Sequence, residues 1–236
     1  MAIKVSVIGA TGRMGKLALD LIDAADDLEL HSALDSKSDA SVSDGADVIF
    51  EVTRLEVSQQ VVARAIDAGQ KIVVGTSGWS AERLAELPAS LGESAVVVIP
   101  NFSVGSMLAT RFAAEAGKFF DSIEIVETHH AGKLDSPSGT AVRTAELISA
   151  NRTTPVTAPA AEQDARGQLV AGIPVHSLRL AGVSAKQDVH FGGVSELLTI
   201  SHETSSVSAY SAGILASIRF AAKAQGLHVG LDAVFK

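Results

Sequence analysis

Cysteine is absent from all 236 residues. That absence excludes disulfides, thiolate metal sites and thiohemiacetal chemistry, so aldehyde dehydrogenases with a catalytic thiol are ruled out. A basic excess is missing as well: the formal charge is −8 and Lys and Arg form no cluster, which argues against nucleic acid or an anionic membrane surface as partner. No apolar run reaches the roughly 18–20 residues of a membrane span. Met-Ala-Ile-Lys-Val opens directly into a strand pattern with no signal-peptide pattern, so a cytoplasmic location is expected. What is present is a composition 47% hydrophobic and 19% charged, enough to bury one large core or two modest ones.

The first half alternates strand and helix patterns. Ile3 to Ile8 reads as a short apolar strand, followed at once by Gly9-Ala10-Thr11-Gly12-Arg13-Met14-Gly15. Met14, Leu17, Ala18, Leu21 and Ile22 then recur at helical spacing. The Gly-x-x-Gly-x-x-Gly spacing differs from the strict Gly-x-Gly-x-x-Gly fingerprint but meets the same demand: a tight turn, backbone close to a pyrophosphate, and a helix N-terminus beneath it. A second strand pattern, Leu28 to Leu34, ends at Asp35, about twenty residues past the last glycine, where an acid accepts hydrogen bonds from the adenosine ribose. Asp35 favours NADH, whereas Arg13 and Lys37 are cations able to pair with the 2′-phosphate of NADPH. Further strands are predicted over 47–52, 71–74 and 95–99, with helices over 56–68 and 80–91. The alternation predicts an α/β fold, a Rossmann-like parallel sheet with helices on both faces. Ligands in such sheets bind beyond the carboxyl ends of the strands. Those ends are Gly9 to Gly15, Asp35, Val52-Thr53, Gly75 to Gly78 and Pro100 to Ser103.

A helix pattern after Ser103 (Met107, Leu108, Phe112, Ala113, Ala116) leads into a second domain of α+β character. Residues 151–172, rich in Ala, Thr, Pro and Gly, read as a long surface loop. Val175 to Arg179, Gln187 to Phe191 and Glu196 to His202 read as strands whose short links favour antiparallel or mixed pairing. Ala209 to Ala224 is a final helix pattern, and Gly230 to Phe235 a short closing segment.

Chemistry is densest in Glu127-Thr128-His129-His130-Ala131-Gly132-Lys133-Leu134-Asp135-Ser136-Pro137-Ser138-Gly139-Thr140-Ala141. Ser122 to Thr128 is a strand pattern, so the histidines fall at its end, and a helix pattern begins after Thr140. Ser138, Gly139 and Thr140 then form an anion site, where backbone N–H groups and the positive end of the helix dipole receive a carboxylate or phosphate. Lys133 adds a full positive charge, and a histidine can transfer a proton near neutral pH. Adjacent strand residues point to opposite faces, which argues against both histidines binding one metal, and no metal is expected. Taken singly, the histidine pair, the lysine and the Ser-Pro-Ser-Gly turn are ordinary structural features; their concentration is what points to a site.

This segment closely resembles the signature of the 4-hydroxy-tetrahydrodipicolinate reductase (dihydrodipicolinate reductase) family, Glu-x-His-His-x-x-Lys-x-Asp-(Ala/Ser)-Pro-Ser-Gly-Thr-Ala. The similarity runs on through the glycine loop, Gly75-Thr76-Ser77-Gly78, Pro100-Asn101-Phe102-Ser103 and Gly172-Ile173-Pro174-Val175-His176-Ser177. The resemblance implies a dinucleotide-binding domain of residues 1–103 plus 208–236, with a substrate-binding and oligomerisation domain, 104–207, inserted between, and a homotetramer. It implies use of both NADH and NADPH, contacted by Gly9, Ala10, Thr11, Gly12, Arg13, Met14 and Asp35. Gly75, Thr76 and Ser77 would approach the nicotinamide end together with Pro100, Asn101 and Phe102.

The implied substrate is a small cyclic dicarboxylate, (2S,4S)-4-hydroxy-2,3,4,5-tetrahydrodipicolinate, bound by His130, Lys133, Gly139 and Thr140. His129 would be the general acid/base and Lys133 a second proton donor and electrostatic clamp. Domain closure about hinges near Ser103 and Tyr210 would exclude water. Two departures from the family pattern stand out. Glu51-Val52-Thr53-Arg54 replaces the usual Asp-Phe-Thr, and Ser205 to Tyr210 lacks an Arg near Val207 and a Phe at Tyr210. Two other readings stay open: a nicotinamide oxidoreductase acting on a sugar or amino-acid-derived carbonyl, and a non-catalytic NAD(P)-sensing module.

Overall fold

Short runs of β-branched and small apolar residues build the first sheet: β1 (Ile3–Ile8), β2 (Leu28–Leu34), β3 (Val48–Glu51), β4 (Lys71–Val74) and β5 (Ala95–Val98). They come from a computed structural model that describes residues 2–235; Met1 and Lys236, the ends of the expected first domain, lie outside it. With β11 (Gly226–Val229) the sheet has six strands in the order β11, β5, β4, β3, β1, β2, all parallel. Phe50, Val73 and Val97 are fully buried on one face and Ile49, Ile72 and Val96 on the other, which is why these strands read as continuous apolar runs. Helices α1 (Arg13–Asp23) and α6 (Ser211–Ala221) pack together against the sheet, while α2 (Leu55–Asp67) covers the Ile49, Ile72 and Val96 face. The chain leaves β1 for β2 on one side and β3 on the other, so the order reverses at β1, and a crevice opens there.

The helix predicted over 80–91 is shorter in the structure. Helix α3 spans only Ala81–Ala85, opened by Ser80, whose side chain accepts from the Arg83 N–H. Pro88 explains the early stop, because it has no N–H to donate and pushes Leu87 out of helical geometry. Strand β11 was not expected from the sequence; its four residues alternate half-buried and exposed, as suits an edge strand.

A second unit comprises Gly105–Ser206, the first consisting of residues up to Val104 with those from Val207 onward. Its five-stranded sheet runs β10 (Glu196–Thr204), β9 (Ala185–Gly193), β6 (Ser122–His130), β8 (Ile173–Leu180), β7 (Gln168–Val170). Only β6 and β8 are parallel, so the sheet is mixed. Helix α5 (Gly139–Ala150) lays Ala141, Ala145 and Ile148 on Ile123, Ile125, Ile173, Val189 and Phe191, joined by Ala113 of α4 (Val104–Ala116). The loop expected over 151–172 is partly ordered: its end forms β7, paired to β8 through a tight hairpin. Ala171 and Gly172, both at positive φ (49° and 82°), supply the turn. Among the described residues no helix is long and apolar enough to cross a membrane.

Candidate active site

The parallel strands bring most of the predicted cofactor residues to one edge of the first sheet. Gly9 takes φ 93°, and the N–H groups of Gly9 and Ala10 both donate to the Leu34 carbonyl at 3.0 Å, tying the loop to the end of β2 beside Asp35. Side chains fit nowhere at two of the glycines. A Cβ on Gly9 would stand 2.4 Å from the Val52 carbonyl oxygen, and one on Gly15 would stand 2.2 Å from the Gly9 oxygen. Gly12 is the N-cap of α1 and offers no side-chain cap, which leaves the first-turn N–H groups for a ligand to satisfy. Thr11 and Arg13 are exposed on this loop and Met14 is half-buried. The arrangement fits a dinucleotide pyrophosphate. Gly15→Ala is therefore expected to weaken NADH binding at least tenfold in a fluorescence titration, and unchanged affinity would mean the loop tolerates the clash.

Asp35 sits at the edge of the same crevice. Its Oδ1 accepts from the Lys37 N–H at 2.9 Å and the Ser38 hydroxyl at 3.0 Å, and these bonds hold its carboxyl below the usual range. Gly75, Thr76 and Ser77 follow β4, and Pro100, Asn101 and Phe102 follow β5. Phe102 points inward: it is buried, its ring lies 5.6 Å from Phe50, and its edge fills the space a Cβ on Gly75 would need. Asn101 accepts the Ser103 N–H at 2.9 Å.

Beneath these loops lies Glu51, fully buried at the end of β3. Its Oε1 accepts from the Thr53 N–H (2.7 Å), the Thr53 hydroxyl (2.5 Å) and the Thr76 hydroxyl (2.9 Å), and its Oε2 from the Ser58 hydroxyl (2.5 Å). Glu51 thus fastens the segment after β3 to the segment after β4. A groove of about 230 Å³ beside α2, lined by Gln59, Ala63, Trp79, Arg83, Leu87 and Pro88, holds none of the residues nominated from sequence.

In the second unit the chemistry gathers at the end of β6. The strand runs two residues further than Thr128 and includes both histidines, which therefore project to opposite faces. His129 turns inward and its Nδ1 lies 2.5 Å from Oε2 of Glu127, which is wholly buried. His130 is exposed, and its carbonyl accepts the Lys133 N–H at 3.0 Å, closing the turn that follows. The Lys133 ammonium pairs with Asp135 at 2.7 Å. Ser138 caps α5, its hydroxyl accepting from the Ala141 N–H, and its own N–H donates to Glu127 Oε1 at 3.2 Å. Gly139 and Thr140 form the first turn of α5, and a Cβ at Gly139 would meet nothing within 4 Å, so the helix start is open to an approaching anion.

Electrostatics set these groups apart. Burial pushes the Glu127 carboxyl up, but hydrogen bonds from Arg179, Ser177 and His129 outweigh it and hold it below the usual range. Burial depresses the His129 imidazole, the charges of Lys133 and Arg179 add to that, and the Glu127 bond opposes it without prevailing. A neutral imidazole with Nδ1 bonded to Glu127 leaves Nε2, across the ring, to exchange a proton with a ligand.

Residues 3–102 match the family model for the N-terminus of dihydrodipicolinate reductase, and residues 105–235 match the model for its C-terminus. The chain belongs to the dihydrodipicolinate reductase family. Curated relatives include the 4-hydroxy-tetrahydrodipicolinate reductase of Clavibacter sepedonicus, 57% identical over 98% of this chain and 86% of that protein. The reductase of Streptomyces griseus subsp. griseus is 41% identical over 98% of this chain and 96% of its own. A dipicolinate-bound dihydrodipicolinate reductase from Paenisporosarcina sp. TG-14 superposes with a TM-score of 0.83 at 29% identity, covering 98% of this chain and 99% of that one.

Two residues at the second site were not assigned from sequence: Glu127, quoted in the signature without a role, and Arg179. The usable signal was periodicity. Leu178 and Leu180 flank Arg179 in β8, and both are exposed, so Arg179 points to the same inward face as Val175. A cation there requires an anion, and Glu127 occupies the inward face of the neighbouring strand. Four of the other five histidines have these partners: His31 the Asp44 carbonyl, His190 Thr199, His228 the Gln225 carbonyl and His176 Glu124.

Proposed function

We propose that the chain catalyses the NAD(P)H-dependent reduction of (2S,4S)-4-hydroxy-2,3,4,5-tetrahydrodipicolinate to (S)-2,3,4,5-tetrahydrodipicolinate with loss of water. This is the 4-hydroxy-tetrahydrodipicolinate reductase step of diaminopimelate and L-lysine biosynthesis. The observation that carries the reading is the juxtaposition of His129, seated on Glu127, with Lys133 and the open start of α5, in a chain of this family. When bound, the reduced nicotinamide supplies the hydride that C4 of the substrate accepts. Gly9 to Met14 hold the pyrophosphate and Asp35 the adenosine ribose, with Gly75 to Ser77 and Pro100 to Phe102 toward the nicotinamide end. The domain from residue 1 to 103 with 208–236 binds the dinucleotide, and residues 104–207 bind substrate.

The α5 N-terminus at Gly139 and Thr140 receives one substrate carboxylate. Lys133 exchanges its partner, the exposed Asp135, for substrate charge, and His130 lends a further donor at the start of the same turn. His129 exchanges a proton at Nε2, and Lys133 is the second donor when the 4-hydroxyl departs as water. Both NADH and NADPH serve, since Asp35 suits the ribose and Arg13 and Lys37 suit a 2′-phosphate. Exposed Leu178, Leu180 and Leu197 in the second sheet offer apolar surface for the subunit contacts of a homotetramer, which light scattering of the purified protein checks as a fourfold mass. The biosynthetic step itself is what places the protein in the cytoplasm.

The test is a coupled assay. Dihydrodipicolinate synthase generates the substrate, and loss of reduced-nicotinamide absorbance is followed with NADH and NADPH separately. Turnover with both is expected. No turnover with either, from folded protein that binds dinucleotide, would move the function to another substrate or to sensing.

A further inference from the structure

One guanidinium reaches the supports of both residues proposed to handle protons in the second unit. In the parallel pairing of β6 with β8, Arg179 stands directly opposite His129. Its two terminal nitrogens grip Glu127 as a fork, Nη1 to Oε2 at 3.0 Å and Nη2 to Oε1 at 2.9 Å. The other donors go to backbone: Nε to the Lys133 carbonyl at 3.3 Å, Nη2 to the Asp135 carbonyl at 2.5 Å, and Nη1 to the Leu178 carbonyl at 2.7 Å. Arg179 therefore clasps both the carboxylate that holds His129 and the turn that carries Lys133.

From this geometry we infer that Arg179 is a positioning residue of the reaction, which fixes His129 through Glu127 and Lys133 through the backbone of its turn. The inference rests on the assignment of His129 and Lys133 under the proposed function. A planar fork suits this task and an ammonium does not, because only the fork can hold both carboxylate oxygens while its remaining N–H groups reach three carbonyls. Charge matters as much as shape. Glu127 is wholly buried, and without a cation beside it its Nδ1 bond would draw a second proton onto His129. Arg179 supplies the opposing charge. The charged groups facing His129 are Glu127 from its own strand, Arg179 from β8 and Lys133 from the turn, with Asp135 behind Lys133.

The consequence is a pair of opposite shifts from two residues that touch each other. Glu127→Gln removes the anion that favours imidazolium, so the His129 titration midpoint moves down by about one pH unit; Arg179→Gln removes a cation that disfavours it, so the midpoint moves up by about as much. Arg179→Lys retains charge and loses the fork. Its midpoint stays near that of the parent, yet kcat falls by about 10–100-fold, the scale on which outer partners orient a working imidazole.

The experiment is an NMR titration of the His129 ring in the full-length protein with NAD⁺ bound, the resonance assigned by its loss in His129→Gln. Steady-state kcat and KM follow for the same variants, with circular dichroism to confirm folding. Opposite midpoint shifts, together with a low kcat and unchanged dinucleotide KM in Arg179→Lys, are expected. Shifts in the same direction, no shift, or parental kcat in Arg179→Lys would overturn the inference. Failure of the proposed reaction itself reads differently: the parent protein would show no turnover, and the titration would still report whether Glu127 and Arg179 govern His129.

Discussion

His129→Gln is expected to lower kcat by about 10²–10⁴-fold, the range a positioned general acid or base contributes, while dinucleotide affinity stays unchanged. Glutamine is close enough in shape to fill the site, and its amide can still donate to Glu127, so the buried carboxylate keeps a partner in place of Nδ1. What it lacks is a proton to exchange near neutral pH. The glycine loop that fits the pyrophosphate belongs to the other compact unit, and the substitution touches none of it. The measurement is steady-state kinetics in the coupled assay beside a fluorescence titration with NADH. Unchanged turnover would remove His129 from proton transfer and leave Lys133 as the donor. Combining His129→Gln with Lys133→Met separates the two roles: a double variant no slower than the slower single variant shows that both residues act in one step.

The first unit was legible because its rules are local. A parallel sheet buried on both faces makes strands such as Ile72 to Val74 and Val96 to Val98 read as unbroken apolar runs, and the glycine loop announces the turn between β1 and α1. The misses were set by contacts that no local pattern carries. Helix α3 stops early because Pro88 intervenes, a signal that was present and outweighed by the apolar spacing around it. Strands β7 and β11 have three and four residues, too few for periodicity to register, and both lie at sheet edges where pairing rather than composition makes them strands.

The same distinction runs through the second site. His129, Lys133, Gly139 and Thr140 fall within one short stretch, so their proximity could be read directly. Arg179 lies 50 residues beyond His129, and only the parallel register of β6 and β8 places the two opposite each other. The sense in which adjacent histidines differ was legible from strand alternation; that His129 is the inward one, with Glu127 beneath it, depended on which face α5 covers. The departure at Glu51 was visible in the sequence as a longer acid, and its meaning emerges from the four donors around it.

Those donors make Glu51→Ala the most damaging substitution expected in the first unit. Alanine removes an acceptor for the hydroxyls of Thr53, Thr76 and Ser58, in a place where Glu51 and Ser58 have no exposed surface, while the Thr53 N–H keeps its second acceptor, Thr76 Oγ1 at 2.8 Å. Each buried donor left without a partner costs about 1–3 kcal/mol, although hydroxyls can rotate toward other acceptors and water can enter part of the space vacated. A net loss of at least about 3 kcal/mol follows, which for a chain of this size lowers Tm by roughly 6–12 °C. Stability and binding should fail together. Glu51 accepts from both Thr53 and Thr76, and without it the segments after β3 and β4 lose that shared anchor and fall back on the direct bond from the Thr53 N–H to Thr76 Oγ1 at 2.8 Å, so the dinucleotide KM rises while the His129 titration in the other unit does not move. Glu51→Gln separates charge from connectivity: its carbonyl oxygen still accepts from the threonines, and only the bond from Ser58 is opposed, so its loss of Tm should be less than half that of alanine. Thermal unfolding followed by circular dichroism gives the answer. An alanine variant that melts with the parent would show that these hydrogen bonds are replaced by water at no cost, and that Glu51 does not hold the two segments together.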